Sequence, residues 1–170
     1  GFYSAEDADS EGEEGKFYAL SPEEITSVLG DDAARVYCSM YGVTDKGNFE
    51  GKSIPNAVGN EMTFEELTKL PFNEMRQKLF HYREGRVHPY KDDKILTAWN
   101  GLMIAALAYG ARVLAKNEYR EAAIKAVDFI RAKLIRADGR LMARYRDGEA
   151  AYPGYLDDYA FLVWGLIELY

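Results

Sequence analysis

Two stretches of the chain, WNGLMIAALA from Trp99 and DDYAFLVWGL from Asp157, share one design: polar or aromatic groups at the start, then an almost unbroken apolar, small-residue helix. A helix that is apolar nearly all round has to be covered on most sides. Ala98 to Ala115 therefore reads as a buried inner helix, and Leu156 to Tyr170 as a second. Between them Tyr119 to Ile135 is amphipathic. It carries Ala122, Ala123, Ala126, Val127, Ile130 and Leu134 on one face, with Arg120, Glu121, Lys125, Asp128 and Arg131 largely opposite. The joint at Lys116 to Glu118 is so short that the inner and outer helices must lie antiparallel. Repetition of inner helix, outer helix and long return loop is the mark of an αα-hairpin array. Each inner helix in such an array needs neighbours on both sides, so a closed ring of hairpins is the expected solution.

Upstream, SPEE starts a helix with Ser21 as N-cap, Pro22 at the first helical position and Glu24 closing a capping box; Gly30 ends it. Asp32 to Tyr41 reads as a second helix ending at Gly42. Val43 to Met62 has no helical period and predicts a loop with one strand around Phe49 to Ile54. Thr63 to Glu66 forms another capping box, and Pro71 to Glu84 an amphipathic helix with Phe72, Met75, Leu79 and Phe80 on its apolar face. GRVHPYKDDKILT reads as a polar loop. Arg140 to Tyr145 and Ala150 to Tyr152 flank Arg146-Asp147-Gly148-Glu149, the signal of a β-hairpin. Near the start, Phe2-Tyr3 and Phe17-Tyr18-Ala19 read as strand-like edges around a long acidic turn.

The net charge of −7, with no basic run longer than two residues, argues against nucleic acid and against an anionic membrane surface as partners. No apolar stretch approaches the length needed to span a bilayer, and no signal peptide is visible. The one cysteine, Cys38, sits among helix-core residues and can form neither an internal disulfide nor a CxxC pair, so a soluble, cytoplasmic protein is expected. With no initiator Met and a final helix cut in mid-pattern, the chain reads as a piece of a longer protein.

FYSAEDADSEGEEGKFYALSPEEI, HPYKDDKILTAWNGLMIAALA and DGEAAYPGYLDDYAFLVWGLIELY occur in order from the first residue to the last. Together they resemble the thioredoxin-domain-containing proteins related to bacterial YyaL and to spermatogenesis-associated protein 20. The resemblance implies a thioredoxin-like domain followed by an (α/α)6 toroid similar to six-hairpin glycosidases and N-acylglucosamine 2-epimerases. This chain is similar to part of the toroid only, without the thioredoxin-like domain and its cysteines. The fold class expected is thus mainly α, a partial toroid with short β-hairpins in its long loops.

Both long connections run from an outer helix back to the start of an inner one, so inner-helix starts and long loops should share one rim. That brings Asp92, Asp93, Trp99, Asn100, Tyr155, Asp157 and Asp158 towards one mouth, where rings can stack on a sugar and acids and amides can bond its hydroxyls. Glycoside hydrolysis needs two carboxyl groups across the scissile bond, with Asp92 or Asp93 facing Asp157 or Asp158 as candidates. The competing reading for the Asp157-Asp158 pair is helix capping, and for Asp92 and Asp93 surface pairing with Lys91 and Lys94. An epimerase would want acid–base groups such as His88, with Arg86 and Tyr90 nearby to bind ligand. Glu6, Asp7 and Asp9 in the acidic stretch have three readings: a calcium loop, mouth-lining acidity or a solvated loop. Counted as an EF-hand from Asp7, the twelfth position is Tyr18, not the bidentate Glu required, which favours mouth acidity over metal. No motif implies a cofactor. The expected ligand is a saccharide; the alternative is a non-catalytic sugar- or peptide-binding scaffold. An incomplete ring should also self-associate through its uncovered helix faces.

Overall fold

A computed structural model of the chain describes residues 1–63, 65 and 69–170. The chain is mainly α with small antiparallel sheets, and its contacts divide it into two compact units: Gly1–Glu6 with Lys91–Tyr170, and Asp7–Tyr90.

The Asp7–Tyr90 unit contains helices α1 (Pro22–Leu29), α2 (Asp31–Tyr41) and α3 (Phe72–Glu84). Helix α1 starts as its sequence dictates: the Ser21 side chain accepts from the Glu24 amide at 3.2 Å, and the Glu24 carboxylate accepts from the Ser21 amide at 2.9 Å. Gly42, at φ 62°, closes α2 in the left-handed conformation that glycine adopts without a Cβ penalty. The three helices bury Ile25, Ala34, Tyr37, Phe72, Met75 and Leu79 together with Leu20 and Val43. The capping box expected at Thr63 to Glu66 rests on Phe64 and Glu66, which lie outside the described residues.

The acidic stretch departs from expectation. The aromatic pairs Phe2-Tyr3 and Phe17-Tyr18 are not strands. The acidic residues themselves make the sheet, with strand β2 (Asp9–Ser10) against β3 (Glu13–Glu14) about a two-residue turn, Glu11 at φ 53° and Gly12 at φ 81°. Ser10 points inward and donates to the Val87 carbonyl, while Lys16 lies 3.3 Å from Glu11 and 3.5 Å from Glu13. Phe17 is buried instead, its ring against Tyr18, His88 and the Arg83 guanidinium.

The other unit is built on α4 (Thr97–Leu114), α5 (Asn117–Lys133) and α6 (Leu156–Leu169). Helices α4 and α5 are joined by Ala115 and Lys116 alone, with Ala115 at φ 52°, so they run antiparallel with Gly110 against Tyr119 at the turn. Strand β6 (Met142–Arg146) returns against β7 (Glu149–Pro153) around Asp147-Gly148, both at positive φ, the backbone of a tight hairpin turn. Strand β5 (Ile95–Leu96) adds to β6, and β1 (Ala5–Glu6) pairs with β4 (Lys91–Asp92), so the segment expected as a polar loop before α4 carries two short strands. Ile95, Ile104, Ala123, Ala126, Ile130, Leu134, Leu141 and Leu162 form this unit's core.

Helices α4 and α6 run parallel. Residue pairs climb both helices together: Ala98 with Asp158, Gly101 with Phe161 and Leu162, Ile104 with Gly165, Arg112 with Glu168. A Cβ on Gly101 would stand 2.5 Å from the Phe161 carbonyl carbon, and one on Gly165 would stand 2.7 Å from the Gly101 oxygen. Only glycine lets the two backbones approach this closely. No helix among the described residues is long and apolar enough to cross a membrane.

Candidate functional site: the shared start of two parallel helices

Because α4 and α6 are parallel, their N-termini open on the same side of their unit. Neither N-cap residue, Leu96 or Tyr155, can cap with a side-chain oxygen in the usual way, and one carboxylate serves both helices. Asp158, the third residue of α6, accepts from the Ala98 amide of α4 through Oδ1 at 2.9 Å and from the Tyr155 amide through Oδ2 at 2.8 Å. Its residue is 3% exposed. Burial pushes this carboxyl above the usual range, the two backbone donors pull it back, and Asp157 beside it pushes it up again. Thr97 completes the joint by donating its hydroxyl to the Met142 carbonyl at 2.6 Å.

The outward-facing residues at this joint are Trp99, 55% exposed, and Tyr155, 65% exposed. The cap brings their backbones to one place: Trp99 directly follows Ala98, and the same carboxylate binds the amides of Ala98 and Tyr155. Asp157 is exposed beside them and has no hydrogen-bond or ion-pair partner among the described residues.

The other candidates in this unit have structural employment. Asn100, fully buried, accepts the Phe2 amide at 2.7 Å and donates to the carbonyls of Phe2 and Leu96 at 3.0 and 2.9 Å. It ties the N-terminal segment to α4. Asp92 pairs with Lys94 at 3.1 Å, and that hydrogen bond holds its carboxyl below the usual range. Asp93 lies 2.8 Å from Arg146, and Glu6 3.4 Å from Lys91.

The remaining candidates belong to the Asp7–Tyr90 unit. Arg86, with only 16% of its side chain exposed, donates to the carbonyls of Lys16, Phe17 and Ala19 and to Glu24 at 2.8 Å. Burial by itself would raise the Glu24 carboxyl, but the Ser21 amide, Arg86 and Lys52 together hold it low. Arg86 is thus a clamp on the chain before α1. His88 lies against the Phe17 ring, 4.6 Å between centroids, and 3.6 Å from Glu84. The Asp7 side chain accepts the Asp9 amide at 3.3 Å, the Asp7 amide donates to the Tyr90 carbonyl at 2.8 Å, and Tyr90 and Asp9 are exposed. Among the described residues no three His, Cys, Asp or Glu side chains stand close enough together to hold a metal ion.

The architecture defines the class: a mainly α segment with small antiparallel sheets, in which two parallel helices, α4 and α6, share one capping carboxylate. The chain is similar over its whole length to spermatogenesis-associated protein 20 of Homo sapiens, at 32% identity, and to that of Mus musculus, at 29%. It is also similar over its whole length to uncharacterized protein B0495.5 of Caenorhabditis elegans, at 30%. The chain spans 27%, 27% and 28% of the lengths of these relatives, respectively. It is homologous to a segment of spermatogenesis-associated protein 20. No family model matches the chain.

Proposed function

We propose that this segment binds a saccharide at the joint of α4 and α6 and does not hydrolyse it, and that its hairpins are part of an (α/α)6 toroid. The observation that carries the reading is Asp158, bound to both helix starts: it joins the two helix starts that carry the exposed Trp99, Tyr155 and Asp157 while taking itself out of the chemistry. Trp99 and Tyr155 offer faces for a sugar ring, and Asp157 accepts from its hydroxyls. Hydrolysis would need a second available carboxyl group about 5–10 Å away. Asp158 is consumed by backbone amides, and Asp92 and Asp93 are consumed by Lys94 and Arg146. Epimerisation would need an acid–base group on each side of the sugar carbon. Neither histidine of the chain lies in this unit.

Support for the toroid comes from the parallel helices α4 and α6, the antiparallel partner α5, and uncovered apolar stripes: Met103, Tyr109 and Val113 on α4, and Val163 and Ile167 on α6. In the longer relatives further hairpins would cover these stripes, and the segment would present its ligand beside the thioredoxin-like domain that the resemblance implies.

Calorimetric titration with a panel of mono- and disaccharides tests the reading, and tryptophan fluorescence in a Trp164→Phe background follows the Trp99 ring itself. Binding sugars should shift the Trp99 signal, Trp99→Ala should abolish binding, and Asp157→Asn should weaken it several-fold. Binding unaffected by Trp99→Ala, or turnover of an aryl glycoside that Asp157→Asn abolishes, would overturn it.

A further inference from the structure

The Asp7–Tyr90 unit holds a cleft of about 440 Å³, in the size range of small-molecule pockets, between α3 and the segments that carry Tyr18, Leu20 and Ile54-Pro55. Its lining contains no carboxylate, in a chain of net charge −7. It contains two arginines instead, Arg76 and Arg83, two turns apart on α3. Neither is ion-paired among the described residues; the one hydrogen bond of Arg76 goes to the neutral Asn73 side chain. Arg83 lies within 5.3, 5.9 and 5.6 Å of the ring centroids of Phe17, Tyr18 and Phe80, and its Nε is shielded from solvent with no hydrogen-bond partner. The contrast with Arg86, one turn on, is sharp: that guanidinium takes three carbonyls and Glu24.

A second group faces the same space without a partner. Tyr37 is 6% exposed and lines the cleft, yet its hydroxyl makes no hydrogen bond among the described residues. Burial raises the Tyr37 hydroxyl to about 12, with Arg76 and Arg83 both pulling against that rise. Three donors thus line one cleft: two cations and a phenol that stays protonated at neutral pH. The remaining lining is Leu20, Ile54, Pro55 and Leu79 with the Tyr18 and Phe80 rings, apolar but for the Tyr18 hydroxyl.

We propose that this cleft binds a small organic anion, its phosphate or carboxylate head held by Arg76, Arg83 and the Tyr37 hydroxyl and its apolar body lying on Leu20, Ile54 and Pro55. Guanidinium forks suit both head groups. The cleft is independent of the α4–α6 joint, and either site can fail without the other.

Calorimetric titration of the 170-residue chain at neutral pH and low salt decides it, with phenyl phosphate, benzoate, inorganic phosphate and phenol as probes. Phenyl phosphate or benzoate should bind roughly tenfold or more tightly than inorganic phosphate or phenol, since neither half alone makes both sets of contacts. Whichever of the two binds more tightly assigns the head group. Arg83→Gln and Arg76→Gln should each weaken that binding roughly tenfold, and Tyr37→Phe several-fold, with far-UV circular dichroism unchanged. Should Arg83→Gln fail to fold, the exposed Arg76 carries the test alone. No binding of either organic anion, binding no tighter than that of inorganic phosphate, or affinity unchanged in Arg76→Gln would overturn the proposal.

Discussion

At the third position of α6, Asp158 answers two helix starts with one carboxylate, and its neighbour Asp157 answers none. The two residues look alike in the sequence, and capping logic says only that one of them suffices. What separates them is the 3.6-residue period: once α6 starts at Leu156, the third position turns towards α4 and the second towards solvent. Asp158→Ala leaves the buried amides of Ala98 and Tyr155 without acceptors, and should lower unfolding free energy by about 2–4 kcal/mol in urea titrations. Asp157→Asn, on the exposed side, should stay within about 0.5 kcal/mol of the parent. Equal effects of the two changes would show that the shared cap does not hold the joint. Arg86 and Asn100 were legible as candidates because they are polar residues in unusual settings. Their employment as backbone clamps was not, since the carbonyls they bind lie far away in sequence.

At the scale of elements, the α4–α6 contact rests on two glycines inside helices, where glycine is otherwise a cost. Gly165→Ala would set a Cβ 2.7 Å from the Gly101 oxygen and 3.1 Å from Ile104, and the helices would have to separate. A loss of about 1–3 kcal/mol is expected. Gly110 is the control: a Cβ there meets only the Tyr119 ring, at 3.5 Å, so Gly110→Ala should stabilise the chain by about 0.5–1 kcal/mol through helix propensity. Urea unfolding of both variants measures the contrast. Helix α1, the β6–β7 hairpin and the α4–α5 antiparallel pair follow from local signals, because capping boxes, Asp-Gly turns and apolar periodicity act within a few residues. The acidic hairpin did not, because aromatic residues resemble strand edges until the core that buries Phe17 is known.

At the scale of the whole molecule, the apolar stripes on α4 and α6 stand uncovered among the described residues of their unit. Contiguous exposed apolar side chains mark contact surfaces. The isolated chain should therefore self-associate, with an apparent mass in sedimentation velocity that rises with concentration, and Val163→Glu with Ile167→Lys should shift it towards monomer. A parent chain that stays monomeric at tens of micromolar would show that the stripes are not sticky.

The sequence alone determined the helices, the Ser21–Glu24 capping box, the antiparallel pair and the acidic balance that disfavours nucleic acid, since each depends on residues adjacent along the chain or on a simple sum of charge. Tertiary structure decided which acid is buried, which arginine is spent on carbonyls, and that Tyr37, Arg76 and Arg83 face one cleft. Those outcomes depend on distances between residues remote in sequence, and a side chain's protonation and partners are set by what folding brings against it.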